Sequence, residues 1–351
     1  MKAVVFKGPH DVQVENVKDA SLKLPTDALV RVTRATICGS DLHAYHGRMP
    51  VVPNFTLGHE AVGVVEEIGA QVKNLKRGQR VVISAVVACG ECFYCRRGQV
   101  SQCTVSGSAV FGYGTNNAGK LGEIDGAQAE ALCVPMADYT AYPLPDSISD
   151  DAAVFLADIL PTGYFGALNG GIKPGDTVAV FGSGPVGLCA AMTAGLFGPA
   201  EVVAVDSVPY RQELARKLGA VTTEPSKATE FILSHTNGRG ADVTIEAVGH
   251  ASALTGAFEA VRPGGTVSVI GVFTEPEMKF PIGLAFMRDL TFKIGLANIR
   301  AHIPELANLV ERGRLDPLPL LTHKLALSQA AHGYKIFDAR TDNAVKVALT
   351  P

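Results

Sequence analysis

The chain has 351 residues, of which 47% are hydrophobic and 19% charged, and its 34 acidic and 31 basic residues leave a net charge of −3. This composition excludes a long disordered chain, and without a basic domain or tail neither nucleic acid nor a membrane surface is expected as a partner. The seven cysteines are too few for a disulfide scaffold, the apolar runs are too short to span a bilayer, and the N-terminus turns polar too soon for a signal peptide. A soluble, cytoplasmic protein of about two domains is therefore predicted.

The first part of the chain, up to about residue 155, consists of short β-rich runs broken by turns. Residues 28–33, 63–69 and 79–83 are examples, each rich in strand-favouring side chains. Runs of this kind favour a partly open barrel or antiparallel sheets that carry functional loops.

From about residue 160 to 297 the pattern changes to apolar strands, glycine turns and amphipathic helices in alternation. A helix is predicted over 211–218, where apolar residues recur at helical spacing before a glycine. The predicted strands are 178–181, 202–205, 243–246 and 266–270. This alternation indicates βαβ units around a parallel sheet, and hence an α/β fold with a doubly wound second domain. The C-terminal part mixes a helix at 303–312 with a β-like tail at 344–349.

A glycine-rich turn follows the first of these predicted strands. It closes a strand, opens a helix and precedes an acid, Asp206, that ends the next strand, which is the context of a dinucleotide fingerprint rather than of an ordinary turn. Gly182 allows the tight turn, Gly184 lets the backbone approach the pyrophosphate, and Gly187 permits close helix–sheet packing. The diphosphate would lie at the positive helix end. The predicted cofactor-binding residues of this turn are Gly182, Gly184, Pro185, Val186 and Gly187.

The acid at the end of the second strand bears on the choice of cofactor. A carboxylate at Asp206 accepts hydrogen bonds from both ribose hydroxyls but repels a 2′-phosphate, so NAD is favoured over NADP. Arg211 follows five residues later. It could contact the ribose or tolerate a phosphate, or it could be a solvated helix charge.

Four cysteines lie within 15 residues in the spacing C-x2-C-x2-C-x7-C, at Cys89, Cys92, Cys95 and Cys103. Four thiolates so close together suit tetrahedral Zn²⁺, and a cytosolic setting disfavours disulfides. An iron–sulfur cluster is the alternative, but the ferredoxin run has three residues before a fourth cysteine followed by proline, which is absent here. Because four cysteines leave no open coordination position, the predicted zinc is structural.

Two further residues, Cys38 and His59, each follow a strand-like segment. Taken alone they would be a small buried thiol and a core histidine. Their surroundings carry a resemblance, however: Gly58-His59-Glu60-Ala61-Val62-Gly63, the four-cysteine run, the Gly182 turn and Leu156-Ala157-Asp158-Ile159-Leu160-Pro161-Thr162-Gly163-Tyr164 occur in this order. Over essentially its whole length the chain resembles the zinc-dependent medium-chain alcohol dehydrogenases.

The resemblance implies a fold and a reaction. The fold would be a GroES-like, partly open β-barrel catalytic domain formed by residues 1–157 and 298–351, with a doubly wound Rossmann coenzyme domain at 158–297. The reaction would interconvert primary or secondary alcohols and aldehydes or ketones by hydride transfer to or from NAD(H), with two zinc ions per chain. The four-cysteine segment lacks the extra loop residues of the dimeric animal members, so a homotetramer is favoured.

The resemblance also implies a catalytic zinc held by Cys38, His59 and Asp158, with a fourth position open for water or substrate. Asp158 stands where many members have cysteine. Glu60 resembles the adjacent acid that approaches the metal during ligand exchange. Asp41 resembles the carboxylate that orients the histidine ligand through its other ring nitrogen. Purely structural roles for Asp41 and Glu60 are the alternative.

Proton transfer and further cofactor contacts follow from the same resemblance. Ser40 resembles the hydroxyl beside the substrate oxygen, and His43 the outer relay histidine, whose usual pKa suits physiological pH. Nearby His46 is interpreted as a loop or pocket residue. Thr162 resembles the hydroxyl packed beside the nicotinamide. Lys346 falls where members carry an arginine that contacts the cofactor phosphates, the alternative being a surface strand charge.

The substrate is the least constrained feature. Polyol or threonine dehydrogenase and formaldehyde dehydrogenase-like activity are the alternatives within the enzyme class, and a non-catalytic NAD-binding protein is the alternative outside it. Gly39 replaces a basic residue that some members use against the pyrophosphate. Cys133 and Cys189 are predicted to be buried thiols. The resemblance implies candidate pocket positions, each of which could equally be core, at Met49, Phe55, Ala85, Phe111 and Leu296. Their apolar character favours hydrophobic alcohols over polyols.

Overall fold

The computed structural model describes residues 1–49, 51–113, 121, 124–275 and 277–351. The chain divides into two units, Met1–Pro161 with Asn298–Pro351, and Thr162–Ala297. The division falls four residues beyond the predicted boundary at residue 157. The segment 154–157 is fully buried and Ala85 N donates to Ala157 O at 2.9 Å, which ties the region before Asp158 to the first unit.

The elements are numbered in chain order. The strands are β1 Lys2–Gly8, β2 Asp11–Asn16, β3 Ala28–Ile37, β4 Phe55–Thr56, β5 Ala61–Ile68, β6 Arg80–Ile83, β7 Ala131–Val134, β8 Ala141–Pro143, β9 Thr177–Phe181, β10 Glu201–Val205, β11 Val221–Thr223, β12 Ala241–Glu246, β13 Val261–Val269, β14 Thr291–Ile294, β15 Leu321–Ala326 and β16 Lys346–Thr350. The helices are α1 Asp41–Tyr45, α2 Ala137–Thr140, α3 Asp150–Ala153, α4 Ile159–Gly170, α5 Pro185–Ala194, α6 Pro209–Lys217, α7 Ala228–His235, α8 Ala251–Ala260, α9 Ile282–Met287, α10 Ile299–Glu311 and α11 Ala330–Ala339.

The first unit is built on two sheets, one in the order β2-β1-β4 and one in the order β15-β16-β3-β5-β6-β8, with β7 also paired to β3. Strand β3 alternates buried residues with partly or fully exposed ones over 28–32, as a half-buried strand should. A register shift against β5 between Val32 and Arg34 ends this alternation, and residues 35–37 are all buried. The three predicted β-rich runs lie largely in β3, β5 and β6, and Cys38 follows directly after β3 and is buried.

The second unit is a parallel sheet in the order β11-β10-β9-β12-β13-β14, with β9 paired to both β10 and β12. In chain rank this is the 3-2-1-4-5-6 order of a doubly wound fold, in which ligands bind beyond the carboxyl ends of the first and fourth strands. The four predicted strands are present. Strand β13 begins five residues before the predicted 266, and β11 and β14 were not predicted because three- and four-residue strands carry too little pattern.

The predicted helices are present with shifted ends. Helix α6 begins at Pro209, two residues before the prediction, because proline is well suited to the first helical position. Helix α10 begins at Ile299, where the buried apolar face already starts, instead of at 303. The predicted tail at 344–349 corresponds to β16. Within the residues that the structure describes, no helix is both long and apolar enough to cross a membrane.

Candidate active site and metal centres

Three predicted metal ligands meet inside the first unit. Cys38 follows β3, His59 lies between β4 and β5, and Asp158 precedes α4. One ligand atom from each lies within 4.8 Å of the others. Asp158 Oδ2 is 3.7 Å from Cys38 Sγ and 3.3 Å from His59 Nε2. The structure therefore brings together a thiol, an imidazole and a carboxylate, a donor set typical of zinc.

The electrostatic environment of these donors suits a divalent cation. Burial and the negative charge of Glu60 raise the pKa of the Cys38 thiol. Burial lowers the pKa of the His59 imidazole, but the neighbouring groups, Tyr113 and Asp41 first among them, raise it well above its ordinary range. Metal ligands must lose their protons to bind a metal ion. A metal ion at this site would therefore replace the protons that Cys38 and His59 otherwise hold.

A hydrogen-bond network lies behind the histidine. Asp41 Oδ1 is 3.2 Å from His59 Nδ1, and Asp41 Oδ2 accepts from Cys38 N at 2.9 Å and from Gln128 Nε2 at 3.1 Å. Gln128 Oε1 in turn accepts from Tyr334 OH at 3.0 Å. With Nδ1 facing a carboxylate, Nε2 is turned toward Cys38 and Asp158, which is the orientation that a metal-bound imidazole needs.

Glu60 and Lys346 form a fully buried ion pair in the first unit. Glu60 Oε2 also accepts from Thr36 Oγ1 at 2.5 Å, and Lys346 Nζ also donates to Ile37 O at 3.2 Å. The surface-charge interpretation of Lys346 is therefore wrong, because its side chain has no exposed area. The phosphate contact implied for Lys346 stays a prediction. Glu60 Oε1 has no hydrogen-bond partner among the described residues, which leaves this oxygen available to a metal.

The predicted relay residues begin at the metal ligands. Ser40 Oγ lies 3.2 Å from Cys38 Sγ and 3.1 Å from His59 Nε2. His43 lies on α1, one helical turn further along, and is half-buried. The Ser40 hydroxyl lies between two metal-ligand atoms, so it is placed to form a hydrogen bond with a further group bound to the same metal.

The four predicted structural ligands form a second cluster, with one sulfur of each within 4.8 Å of the others. Cys89 Sγ is 3.9 Å from Cys95 Sγ, and Cys92 Sγ is 4.0 Å from Cys103 Sγ. These separations are close to the ~3.8 Å that four sulfurs at ~2.3 Å from one tetrahedral zinc would have, and all the cysteines are free thiols. Backbone N–H groups, that of Cys95 first, lower the pKa of Cys92 to about 6. The cluster therefore fits a zinc ion.

Substituting Cys92 by serine is expected to remove one zinc per chain and to lower the unfolding temperature markedly. The segment has few apolar side chains of its own, so metal bonds must supply its stability. Metal analysis combined with thermal unfolding checks this result. Cys133→Ser, which alters a thiol on β7 outside the cluster, is the control for metal content. An unchanged zinc content in Cys92→Ser would contradict the assignment.

The glycine-rich turn of the second unit has the geometry of a phosphate cradle. Gly182 has φ +95°, and a Cβ on Gly187 would lie 1.8 Å from Gly182 O. Gly184 is the N-cap of α5 and provides no side-chain cap, while Pro185 occupies the first turn. The first N–H groups of the helix are therefore available to an anion.

Asp206 lies beside this turn and stabilises it through hydrogen bonds to the backbone. Its Oδ2 accepts from Ser183 N at 2.7 Å and its Oδ1 from Val208 N at 2.8 Å. Each oxygen keeps a lone pair for a further donor. Arg211 Nη1 lies 3.9 Å from the Cβ position of Gly184, and its Nε is buried without a hydrogen-bond partner among the described residues. This placement at the turn favours the cofactor role of Arg211 over a solvated charge.

Comparisons with known proteins show to which family the chain belongs. Residues 24–146 match the model of the alcohol dehydrogenase GroES-like domain, and residues 185–312 match that of the zinc-binding dehydrogenases. A zinc-type alcohol dehydrogenase-like protein of Bacillus subtilis is 39% identical, with 100% of both chains covered. The chain belongs to the zinc-dependent medium-chain alcohol dehydrogenase family.

Solved structures of similar proteins extend this likeness. The alcohol dehydrogenase of Thermus sp. ATN1 has a TM-score of 0.93 and 44% identity, covering 100% of this chain and 99% of its own. Two more distant structures contain a cofactor. A dehydrogenase of Escherichia coli CFT073 holds NADH (TM-score 0.87, 26% identity, coverage 100% and 99%). A zinc-binding dehydrogenase of Sinorhizobium meliloti 1021 holds NADP (TM-score 0.83, 28% identity, coverage 100% and 99%). The GroES-like and Rossmann folds predicted for this family member are confirmed.

Some site residues of this dehydrogenase escaped sequence reasoning. The buried Tyr113 ring stacks on His59 with ring centroids 5.6 Å apart, and Gln128 and Tyr334 reach Asp41 from distant segments. No local pattern signals such contacts. Glu246, by contrast, ends the strand beside β9, and the strand-end rule for doubly wound sheets could have found it.

The predicted substrate-pocket positions differ in burial. Phe111 and Ala85 are buried, and Phe111 belongs to the barrel core. Phe55 packs on the hydrophobic core around β1, which agrees with the alternative that it is a core residue. Met49 is half-buried and Leu296, in the second unit, is exposed. The pocket assignment stays a prediction. Cys133 and Cys189 are buried, as predicted.

Glu246 is expected to make the stability of the dehydrogenase depend on pH. Its Oε1 accepts from Val248 N and Gly249 N, both at 2.8 Å, while burial raises its pKa to about 7. A folded pKa above the unfolded value gives stability that is present in acid and is lost as the pH rises through about 7, by about 3 kcal/mol in all. Urea unfolding between pH 5 and 8.5 should show this loss in the wild type and a flatter profile in Glu246→Gln. Parallel profiles would contradict the role.

Proposed function

We propose that this alcohol dehydrogenase interconverts primary or secondary alcohols and their aldehydes or ketones with NAD(H), using one zinc at Cys38, His59 and Asp158. The observation that carries the proposal is the convergence of these three donor atoms within 4.8 Å. When bound there, zinc supplies Lewis-acid polarisation of the alcohol or carbonyl oxygen. Three protein ligands leave a coordination position for that oxygen, whereas the four-cysteine cluster leaves none.

The protein's own residues would handle the proton. Ser40 Oγ borders both Cys38 Sγ and His59 Nε2, so it is placed to take the hydroxyl proton of an alcohol. His43, one helical turn later, would pass the proton on to solvent, a task suited to an imidazole near neutral pH. Asp41 holds the His59 ring from behind, and Glu60 is kept beside the site by Lys346.

The cofactor proposal rests on Asp206 at the glycine turn, and Asp206→Asn tests it. The substitution removes the charge but keeps an amide oxygen that can accept a hydrogen bond from the turn. The ratio of kcat/KM for NADP to that for NAD is expected to rise about ten- to a hundredfold, as relief of about 1.4–2.8 kcal/mol of repulsion against a 2′-phosphate would give. Steady-state kinetics with both cofactors measures the ratio. Glu213→Gln, an exposed change on the same helix as Arg211, is the control. An unchanged ratio would contradict the role of Asp206.

A panel of alcohols tests the substrate class. Zinc-loaded protein mixed with NAD and primary, secondary or polyol substrates should produce NADH, followed by its absorbance, most rapidly with hydrophobic alcohols. Preference for polyols or threonine would move the assignment to those dehydrogenases, and preference for formaldehyde to that branch. No activity across the whole panel would favour a non-catalytic NAD-binding protein.

The proposal extends to a homotetramer in the cytoplasm. Helix α9 and the edge strand β14 expose several large apolar side chains, which are Ile282, Phe286, Met287 and Ile294. An apolar patch at a sheet edge is a surface that a second copy would cover. Free thiols at all seven cysteines suit a reducing compartment. Light scattering after size-exclusion chromatography measures the assembly.

A further inference from the structure

Three metal-ligating side chains converge on the surface of the first unit, outside the sites described above. Ligand atoms of His10, His46 and Asp338 all lie within 4.8 Å of one another. They come from three separate elements: the turn between β1 and β2, the residue that follows α1, and helix α11. None of them is a ligand of the candidate catalytic centre or of the four-cysteine cluster.

The backbone keeps the two histidines adjacent. His10 N donates to Tyr45 O at 2.7 Å, which joins the β1–β2 turn to the end of α1. A Cβ on Gly47 would lie 3.0 Å from Pro9 Cγ, so the chain after α1 packs directly on this turn. As a result the His10 and His46 rings have centroids only 5.2 Å apart.

Asp338 adds a negative oxygen donor to the two imidazoles. Its Oδ1 lies 2.7 Å from His46 Nε2, and both side chains remain partly open to solvent. That pair alone would be an ordinary hydrogen bond. The second imidazole distinguishes the cluster, because a ring nitrogen of the exposed His10 also lies within 4.8 Å of the ligand atoms of His46 and Asp338.

We propose that His10, His46 and Asp338 form a third metal site, specific for a divalent transition ion such as Zn²⁺. Two imidazole nitrogens and one carboxylate oxygen are ligands that Zn²⁺ favours, with water completing the tetrahedron. Mg²⁺ and Ca²⁺ prefer oxygen donors and would bind poorly. With three ligands and access to solvent, the ion exchanges more readily than one in the four-cysteine cluster.

Occupancy of this site joins three segments that meet behind the candidate catalytic centre. The Tyr45 ring packs on the Tyr334 ring at 5.5 Å, and Tyr334 donates to Gln128, which donates to Asp41. A metal that ties the end of α1 to α11 therefore stabilises the frame on which Asp41 rests. The exchangeable ion acts as a zinc-dependent stabiliser of the first unit.

Zinc titration of the whole protein tests the proposal. Zinc-loaded protein is dialysed briefly against a chelator to remove exchangeable metal, then titrated with ZnCl₂ under equilibrium dialysis with metal analysis. The wild type is expected to bind one zinc per chain more than His10→Ala, His46→Ala or Asp338→Asn. Added zinc should raise its unfolding temperature by about 2–4 °C relative to those variants. MgCl₂ should do neither.

Two comparisons make the test decisive. His10→Ala leaves the His46–Asp338 pair intact, so a lost zinc in this variant is caused by the missing ligand and not by disruption of that pair. His332→Ala removes an exposed histidine from the same helix as Asp338 and should behave as the wild type. The same zinc count in the wild type and His10→Ala would overturn the proposal, as would an equal loss in His332→Ala.

Discussion

Asp158→Ala is expected to lower kcat/KM by about a thousandfold or more and to lose one zinc per chain relative to the wild type, while NAD binding remains. The carboxylate supplies one of three donor atoms that meet at the candidate centre, 3.3 Å from His59 Nε2 and 3.7 Å from Cys38 Sγ. A catalytic metal contributes several kcal/mol to the stabilisation of developing charge, and each 1.36 kcal/mol is tenfold in rate. With only two protein ligands left, the site should lose its metal.

Metal analysis, NADH fluorescence titration and steady-state kinetics together measure this outcome. Asp146→Ala, which alters a fully exposed aspartate of the same unit, is the matched control and should retain the zinc content and activity of the wild type. Loss of NAD binding in Asp158→Ala would count against the assignment, since the glycine turn lies in the other unit. An unchanged zinc content with normal turnover would refute it.

Gly187→Ala is expected to raise the Kd for NAD about tenfold or more and to destabilise the second unit by about 1–3 kcal/mol. The added Cβ would lie 1.8 Å from Gly182 O. The backbone fixes the positions of both atoms, so neither can rotate away as the end of a flexible side chain could. The turn must therefore open, which displaces the N–H groups that face the diphosphate. Zinc content should not change.

Fluorescence titration with NADH and urea unfolding measure the two effects. Gly195→Ala, just beyond the end of α5, meets nothing within 4 Å and should leave cofactor binding unchanged. Equal NADH affinities in Gly187→Ala and Gly195→Ala would show that the close contact at the turn is not needed for the cofactor.

Features that depend on a short stretch of sequence could be predicted, and features formed by distant segments could not. The turn at Gly182 and the run from Cys89 to Cys103 each lie within about fifteen residues. Their spacing alone therefore indicated dinucleotide binding and zinc binding. Strands β9, β10 and β12 were predicted closely, whereas the predicted start of β13 was five residues late, and β11 and β14 were too short to show a period. For Cys38, His59 and Asp158, spacing was insufficient and the family resemblance was needed.

Contacts between residues that are distant along the chain could not be predicted from the sequence. Lys346 could be a surface charge or a cofactor contact from sequence, yet it lies fully buried against Glu60, which is 286 residues away. The sequence of its strand gives no sign of a buried amine, because the carboxylate that neutralises it comes from another part of the chain. The Tyr113 ring on His59 was missed for the same reason.

The seven cysteines of the chain were too few for a disulfide scaffold. Short spacings indicated the four-cysteine metal site and the dinucleotide turn, because those features depend on residue type and local spacing. The tertiary structure alone decided which atoms face each other: Asp41 behind His59, Lys346 against Glu60, and His10 beside His46. The physical reason is that hydrogen bonds, ion pairs and metal coordination act over a few ångströms in space. Separation along the chain does not determine that distance.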